Sequence, residues 1–110
     1  YSPVRRGKIK SEIDEGFYID AAQQLKAVSS IPVILVGGIK SLVLAEKLIK
    51  EGIADFIALC RPLICEPDLV NRWKDGLQNS AKCLRDNLCF IPASKGEGIQ
   101  CVSKQKGRIQ

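Results

Sequence analysis

Gly37-Gly38, Arg61 and five cysteines are the residues of this chain whose types and spacing could do chemistry. The glycine pair closes the apolar run Val33-Ile34-Leu35-Val36. Glycine lets a backbone turn sharply and approach a ligand with no Cβ in the way. Arg61 follows the run 53–60, which is apolar except for Asp55. Its guanidinium fork matches the geometry of a phosphate. In a βα barrel the loops after the last two strands commonly build a phosphate site, and two apolar runs ending in anion-holding features fit that plan. Each feature also has a plainer reading. Gly-Gly serves as a tight turn without a ligand, and Arg61 as a surface arginine paired with a carboxylate.

The elements that must position these residues are legible in outline. A continuous β-branched run suits a strand buried on both faces of a parallel sheet, which places one strand at about 32–37 and a second at about 54–60. Ser41 is suited to cap a helix over 41–51, with Leu42, Val43, Leu44, Ala45, Leu48 and Ile49 apolar. Lys47 and Lys50 suit its C-terminal end, and Gly52 its C′ position. The glycine loop then lies at a helix N-terminus, a natural place for an anion. Upstream, 17–29 reads as a helix with Phe17, Ala21, Ala22, Leu25 and Val28 on its apolar side. Pro67 fits the first turn of a last helix, with Leu69, Val70 and Trp73 facing inward and Gly76 ending it. Residues 1–16 read as a polar loop and 78–110 as a tail with little periodicity.

Charge is unevenly placed. The chain carries 17 Lys and Arg against 12 Asp and Glu, a net +5. Residues 31–79 balance, so the excess lies at the two ends, in Arg5, Arg6, Lys8 and Lys10 and in Lys95, Lys104, Lys106 and Arg108. With aromatics at only 5%, mostly outside these clusters, solvated loops explain them better than a nucleic-acid face. No apolar run approaches the ~20 residues of a membrane span. An odd number of cysteines argues against a closed set of disulfides and for a reducing, cytoplasmic setting. Cys60 and Cys65 read as barrel residues, whereas Cys83, Cys89 and Cys101 lie in the tail, where no core requires them.

Three motifs in order carry a resemblance: Ile31-Pro32-Val33-Ile34-Leu35-Val36-Gly37-Gly38-Ile39, then Ala54-Asp55-Phe56-Ile57-Ala58-Leu59-Cys60-Arg61-Pro62-Leu63-Ile64, then Glu66-Pro67-Asp68-Leu69. They resemble the C-terminal part of the old yellow enzyme family of FMN-dependent NAD(P)H:flavin oxidoreductases and ene-reductases. The resemblance runs from about Gly16 to Gly76. It implies an α/β fold comprising strands 7–8, with their helices, of a TIM (β/α)8 barrel. It also implies that Gly37 and Gly38 hold the FMN phosphate through backbone N–H groups, joined by Arg61 and the backbone of Cys60. Many members have glycine where this chain has Cys60. The partners implied are NAD(P)H and an electron-poor alkene or enoyl substrate. The usual histidine pair cannot be here, because the chain has no histidine, and no catalytic residue is assigned. A full barrel needs about 250 residues, so the chain reads as a C-terminal fragment. It divides into barrel residues 1–79 and a cysteine-containing tail, 80–110.

One branch of the family, similar to 2,4-dienoyl-CoA reductase and trimethylamine dehydrogenase, carries a four-cysteine iron–sulfur site in this tail. Here the corresponding run holds Cys83 and Cys89, with Cys101 downstream, and Asp86 stands at the middle position. Three outcomes follow: a 4Fe-4S cluster with Asp86 as fourth ligand, a zinc site of three thiolates and one oxygen, or a decayed site with free thiols. Two other function classes stay open. One is a phosphate-binding βα-barrel enzyme of another kind. The other is a non-catalytic fragment that self-associates through its open sheet edges.

Overall fold

The structure, a computed structural model, describes residues 9–77 and 79–109. Arg5, Arg6 and Lys8 of the first basic cluster lie outside them. The described residues form two compact units, 9–59 with 79–80 and 60–77 with 81–109.

The first unit is a small α/β fragment. Helix α1 spans Ile19–Val28, strand β1 Ile34–Val36, helix α2 Leu42–Lys50 and strand β2 Phe56–Ala58. The strands pair in parallel, with Ile34 opposite Phe56, Leu35 opposite Ile57 and Val36 opposite Ala58. The expected cap is present: the Ser41 hydroxyl accepts from the Leu44 N–H at 3.3 Å. Gly52 ends α2 with φ +69°, a left-handed conformation glycine adopts without a steric cost. The core is Ala22, Val33, Leu35, Ile39, Ala45, Leu48, Ile53 and Ala54.

Asp55, the polar interruption of its apolar run, joins three elements. Its carboxylate pairs with Lys26 Nζ of α1 at 2.6 Å and accepts from the Val33 N–H at 2.7 Å. It thereby secures the start of both strands.

Burial on both strand faces is corrected. Leu35 is buried, but Ile34, Val36 and Phe56 are exposed. The core lies on one side of the two-stranded sheet, and alternation sends these side chains to the other. The same asymmetry leaves Leu25 and Val28 of α1 exposed.

The second unit has no strand among the described residues. Its helices are α3, Arg61–Cys65; α4, Leu69–Lys74; α5, Phe90–Ser94; and α6, Val102–Gln105. Pro62 marks more than the end of a strand, for it stands in the first turn of α3, where its missing N–H costs nothing. On α4, Leu69 and Trp73 are buried as expected while Val70 is exposed. Positions four apart share a helix face, and the next residue turns away from it. Arg72 of α4 bridges Glu66 at 2.5 Å and Asp68 at 3.0 Å. Glu66 also accepts from the Lys82 N–H at 2.6 Å, which binds the 81–109 segment to the α3–α4 link.

The reading of the tail cysteines as unneeded by any core is also corrected. Cys83 and Cys89 are buried, and Cys65, Cys83 and Ile109 pack as one cluster with Cys101 against it. The helices of this segment are five and four residues long, too short to show a helical period in the sequence.

Candidate functional site

The glycine turn at the end of β1 is held from one side. Gly37 and Gly38 have φ +117° and +73°. The Gly37 carbonyl accepts from the Phe17 N–H at 3.2 Å and the Gly38 carbonyl from the Gly16 N–H at 3.1 Å. A peptide unit is planar and trans, so its C=O and N–H point opposite ways. Fixing these two carbonyls toward 16–17 directs the N–H groups of Gly38 and Ile39 away from that segment. A Cβ at Gly37 would come within 2.8 Å of the Tyr18 ring, and one at Gly38 within 3.0 Å of the Phe17 ring. The two rings meet edge to face with centroids 6.3 Å apart. Glycine is therefore required twice over, by backbone conformation and by the rings beside it.

The N-terminus of α2 already holds an anion. Buried Glu15 accepts from the Lys40 N–H at 2.6 Å and the Ser41 N–H at 3.0 Å through one carboxylate oxygen. Helix N-termini favour negative charge, and Glu15 supplies it from within the chain. A phosphate at this turn would therefore meet the glycine peptide units and not the Lys40 and Ser41 N–H groups just ahead of α2. Sequence reading misses Glu15, because nothing local links it to a turn more than twenty residues on.

In the second unit, Cys60 is exposed and precedes α3 as its N-cap residue. Arg61 is half-buried, and its Nη1 donates to Asn87 Oδ1 at 2.7 Å. Asn87 is buried with φ +62°, a left-handed conformation that asparagine tolerates better than most residues. The plain reading of Arg61, a pairing with a carboxylate, gives way to a pairing with an amide. An amide acceptor leaves the guanidinium its full charge for an anion.

Cys83, Asp86, Cys89 and Cys101 line one small cavity of this unit, together with Cys65 and Arg61. Asp86 Oδ1 accepts from the Leu88 N–H at 3.1 Å; Oδ2 accepts from the Ser103 hydroxyl at 2.5 Å and faces Arg108 at 3.5 Å. Burial pushes the Asp86 carboxyl up, but Ser103, the Leu88 N–H and Arg108 outweigh it and hold the group below its ordinary value. Burial raises the Cys83 and Cys89 thiols. Burial, and then the hydrogen bond to Cys101, push Cys65 up to about 12. Among the described residues no three His, Cys, Asp or Glu side chains are grouped so as to hold a metal ion. As folded, with Asp86 already engaged, these residues do not fit a four-ligand cluster or zinc site.

A parallel strand–helix–strand unit with a locked glycine turn makes this a small α/β fragment with two parallel strands, consistent with part of a βα barrel. Residues 1–80 match the NADH:flavin oxidoreductase / NADH oxidase family, and the chain belongs to that family of FMN flavoproteins. An NADH oxidase of Thermoanaerobacter brockii is 42% identical over 82 residues, covering 74% of this chain and 13% of its own length. A metal reductase of Desulforamulus reducens is 38% identical over 104 residues, covering 92% of this chain and 16% of its own. That match takes in most of the cysteine-bearing segment. Imidazole glycerol phosphate synthase subunit HisF of Pasteurella multocida is 43% identical over 53 residues, 48% of this chain and 20% of its own. The chain thus spans a fifth or less of the length of these relatives. No helix among the described residues is long and apolar enough to cross a membrane.

Proposed function

We propose that the chain supplies FMN-phosphate-binding groups to a flavin oxidoreductase, as the seventh and eighth strands of a (β/α)8 barrel. The turn at Gly37-Gly38 offers the N–H groups of its peptide units, those of Gly38 and Ile39. Cys60 offers its backbone and Arg61 its guanidinium. The observation that carries this reading is the locked glycine turn, whose carbonyls are both engaged by 16–17 so that its N–H edge faces elsewhere. Bound FMN would supply the chemistry, hydride transfer from NADH or NADPH to an acceptor such as an electron-poor alkene or enoyl compound. The chain's own part is to bind and orient. Gly37 and Gly38 admit the phosphate by lacking side chains, and Arg61 neutralises its charge through a charge-assisted, fork-shaped contact.

The test compares FMN with riboflavin, which lacks the phosphate, on the full-length protein. Arg61→Ala is expected to weaken FMN about 10- to 100-fold, the range of one charged hydrogen-bonding contact, and to leave riboflavin unchanged. Equal weakening of both would remove Arg61 from the phosphate site. A second reading, a phosphate-binding barrel enzyme of another class, draws on the resemblance to the HisF subunit. Purified protein without oxidised-flavin absorbance would favour that reading.

The isolated chain is expected to self-associate, because Ile34, Val36 and Phe56 are exposed on a two-stranded sheet with open edges. Light scattering showing only monomer would count against this.

A further inference from the structure

Arg61 and Asn87 lie in the same unit and meet 26 positions apart in the chain, where Arg61 Nη1 donates to Asn87 Oδ1 at 2.7 Å. An arginine side chain has many rotatable bonds, and ordering it on binding weakens the binding. A partner that holds the guanidinium beforehand removes that cost. Asn87 is itself firmly held. It is buried, and its backbone is left-handed. Its carbonyl accepts from the Phe90 N–H at 3.3 Å, at the start of α5. The next N–H, that of Leu88, donates to Asp86 Oδ1 at 3.1 Å, and Asp86 Oδ2 accepts from the Ser103 hydroxyl of α6 at 2.5 Å. The turn 86–88 is thus tied to α5 and α6, and the amide that it presents to Arg61 is tied with it.

The choice of an amide has a chemical meaning. A carboxylate of the same shape would grip the guanidinium more tightly but cancel its charge. Asp86, the adjacent residue, is such a carboxylate, and it is engaged by Leu88, Ser103 and Arg108 instead. An amide oxygen fixes the guanidinium plane and leaves its charge and its other N–H donors to an anion. We propose that Asn87 is a positioning residue that orients Arg61 for the FMN phosphate, and that its neutrality sets how strongly the phosphate is held. The inference rests on the flavin reading of Arg61. It gives the segment around Asp86 a part in cofactor binding that requires no thiol chemistry.

The experiment titrates the full-length protein with FMN and with riboflavin and follows flavin fluorescence. Asn87→Asp is expected to weaken FMN about 10-fold and leave riboflavin unchanged, with a urea midpoint no lower than the parent's, because the new carboxylate pairs with Arg61. A purely structural role predicts no loss of FMN in that variant. Asn87→Gly keeps a left-handed backbone and removes the acceptor. It is expected to weaken FMN about 3- to 10-fold with riboflavin again unchanged, and to have no further effect on FMN in protein that already carries Arg61→Ala. Either variant keeps the test valid should the other fail to fold. Equal weakening of both flavins by Asn87→Gly, or unchanged FMN affinity in Asn87→Asp, would overturn the proposal. Arg61→Ala, measured alongside, separates the two ways of failing. If it weakens FMN selectively and the Asn87 variants do not, the flavin reading stands and Asn87 is no positioning residue. If Arg61→Ala is itself without selective effect, the flavin reading of Arg61 falls and the proposal falls with it.

Discussion

The two units keep their shape by different means. Residues 9–59 use a regular parallel strand–helix–strand unit whose core is aliphatic. Residues 60–77 and 81–109 use four helices of four to six residues, with polar side chains and thiols filling much of the interior. Glu66, Arg85, Asn87 and Ser103 are all buried there. Repeated backbone hydrogen bonding lets the first unit spend few polar side chains on its structure. Among the described residues the second unit has no sheet, and carboxylates such as Glu66 and Asp86 satisfy loop N–H groups one at a time. The first arrangement yields a rigid turn for backbone recognition. The second places reactive side chains close together.

The largest test of this contrast is core truncation. Leu48 and Leu69 are the most deeply buried leucines of their units. Each Leu→Ala change is expected to cost about 3 kcal/mol, the usual cost of a core cavity. Trp73 is the sole tryptophan and lies in the second unit. Leu69→Ala should therefore shift the urea transition seen by tryptophan fluorescence, and Leu48→Ala should act more strongly on far-UV circular dichroism. If both variants move both signals equally, the units unfold as one and the contrast has no energetic counterpart.

A smaller effect is expected at Glu15. Glu15→Ala strips a buried acceptor from two N–H groups and should cost about 2 kcal/mol. Glu15→Gln keeps an acceptor oxygen and should cost less. Equal losses would mean that charge, not hydrogen bonding, is what α2 needs. Denaturant midpoints of the two variants decide this.

The smallest expected effect is with pH. The Lys26 hydrogen bond first, and then the Val33 N–H, hold the Asp55 carboxyl below its ordinary value. A depressed folded pKa means stability that is present above the unfolded value, about 3.9, and lost as pH falls through the folded one. Stability should thus be flat from neutrality to about pH 5 and decline below about pH 4. Lys26→Met should flatten the decline. Urea midpoints across that range are the measurement, and an unchanged slope in the variant would separate the ion pair from the acid response.

The sequence was readable where structure is local. Both strands, the Ser41 cap and the Gly52 end of α2 are written in neighbouring residues. So is the division of α4 into buried Leu69 and Trp73, though Val70 was misplaced. Partners distant in the chain left no local sign. Glu15 meets Lys40 and Ser41, Arg61 meets Asn87, and Cys101 packs against the cluster of Cys65, Cys83 and Ile109 only after folding. Of the candidate site, the glycines and the arginine were visible as residue types. The carbonyl bonds that orient the turn were not, because backbone direction is fixed by segment 16–17 and not by the glycines themselves.

Glu15 has a consequence for the empty state of the protein. A helix that depends on a bound phosphate to balance its dipole is liable to fray each time the ligand departs. Here the balancing charge is covalently part of the chain and does not leave. Helix α2 is thus stabilised from within the chain, and under the proposed flavin reading loading would be a docking event onto a finished scaffold. Exchange of the cofactor should then proceed without refolding of the turn's neighbourhood, and the ligand-free protein should persist long enough to be reloaded.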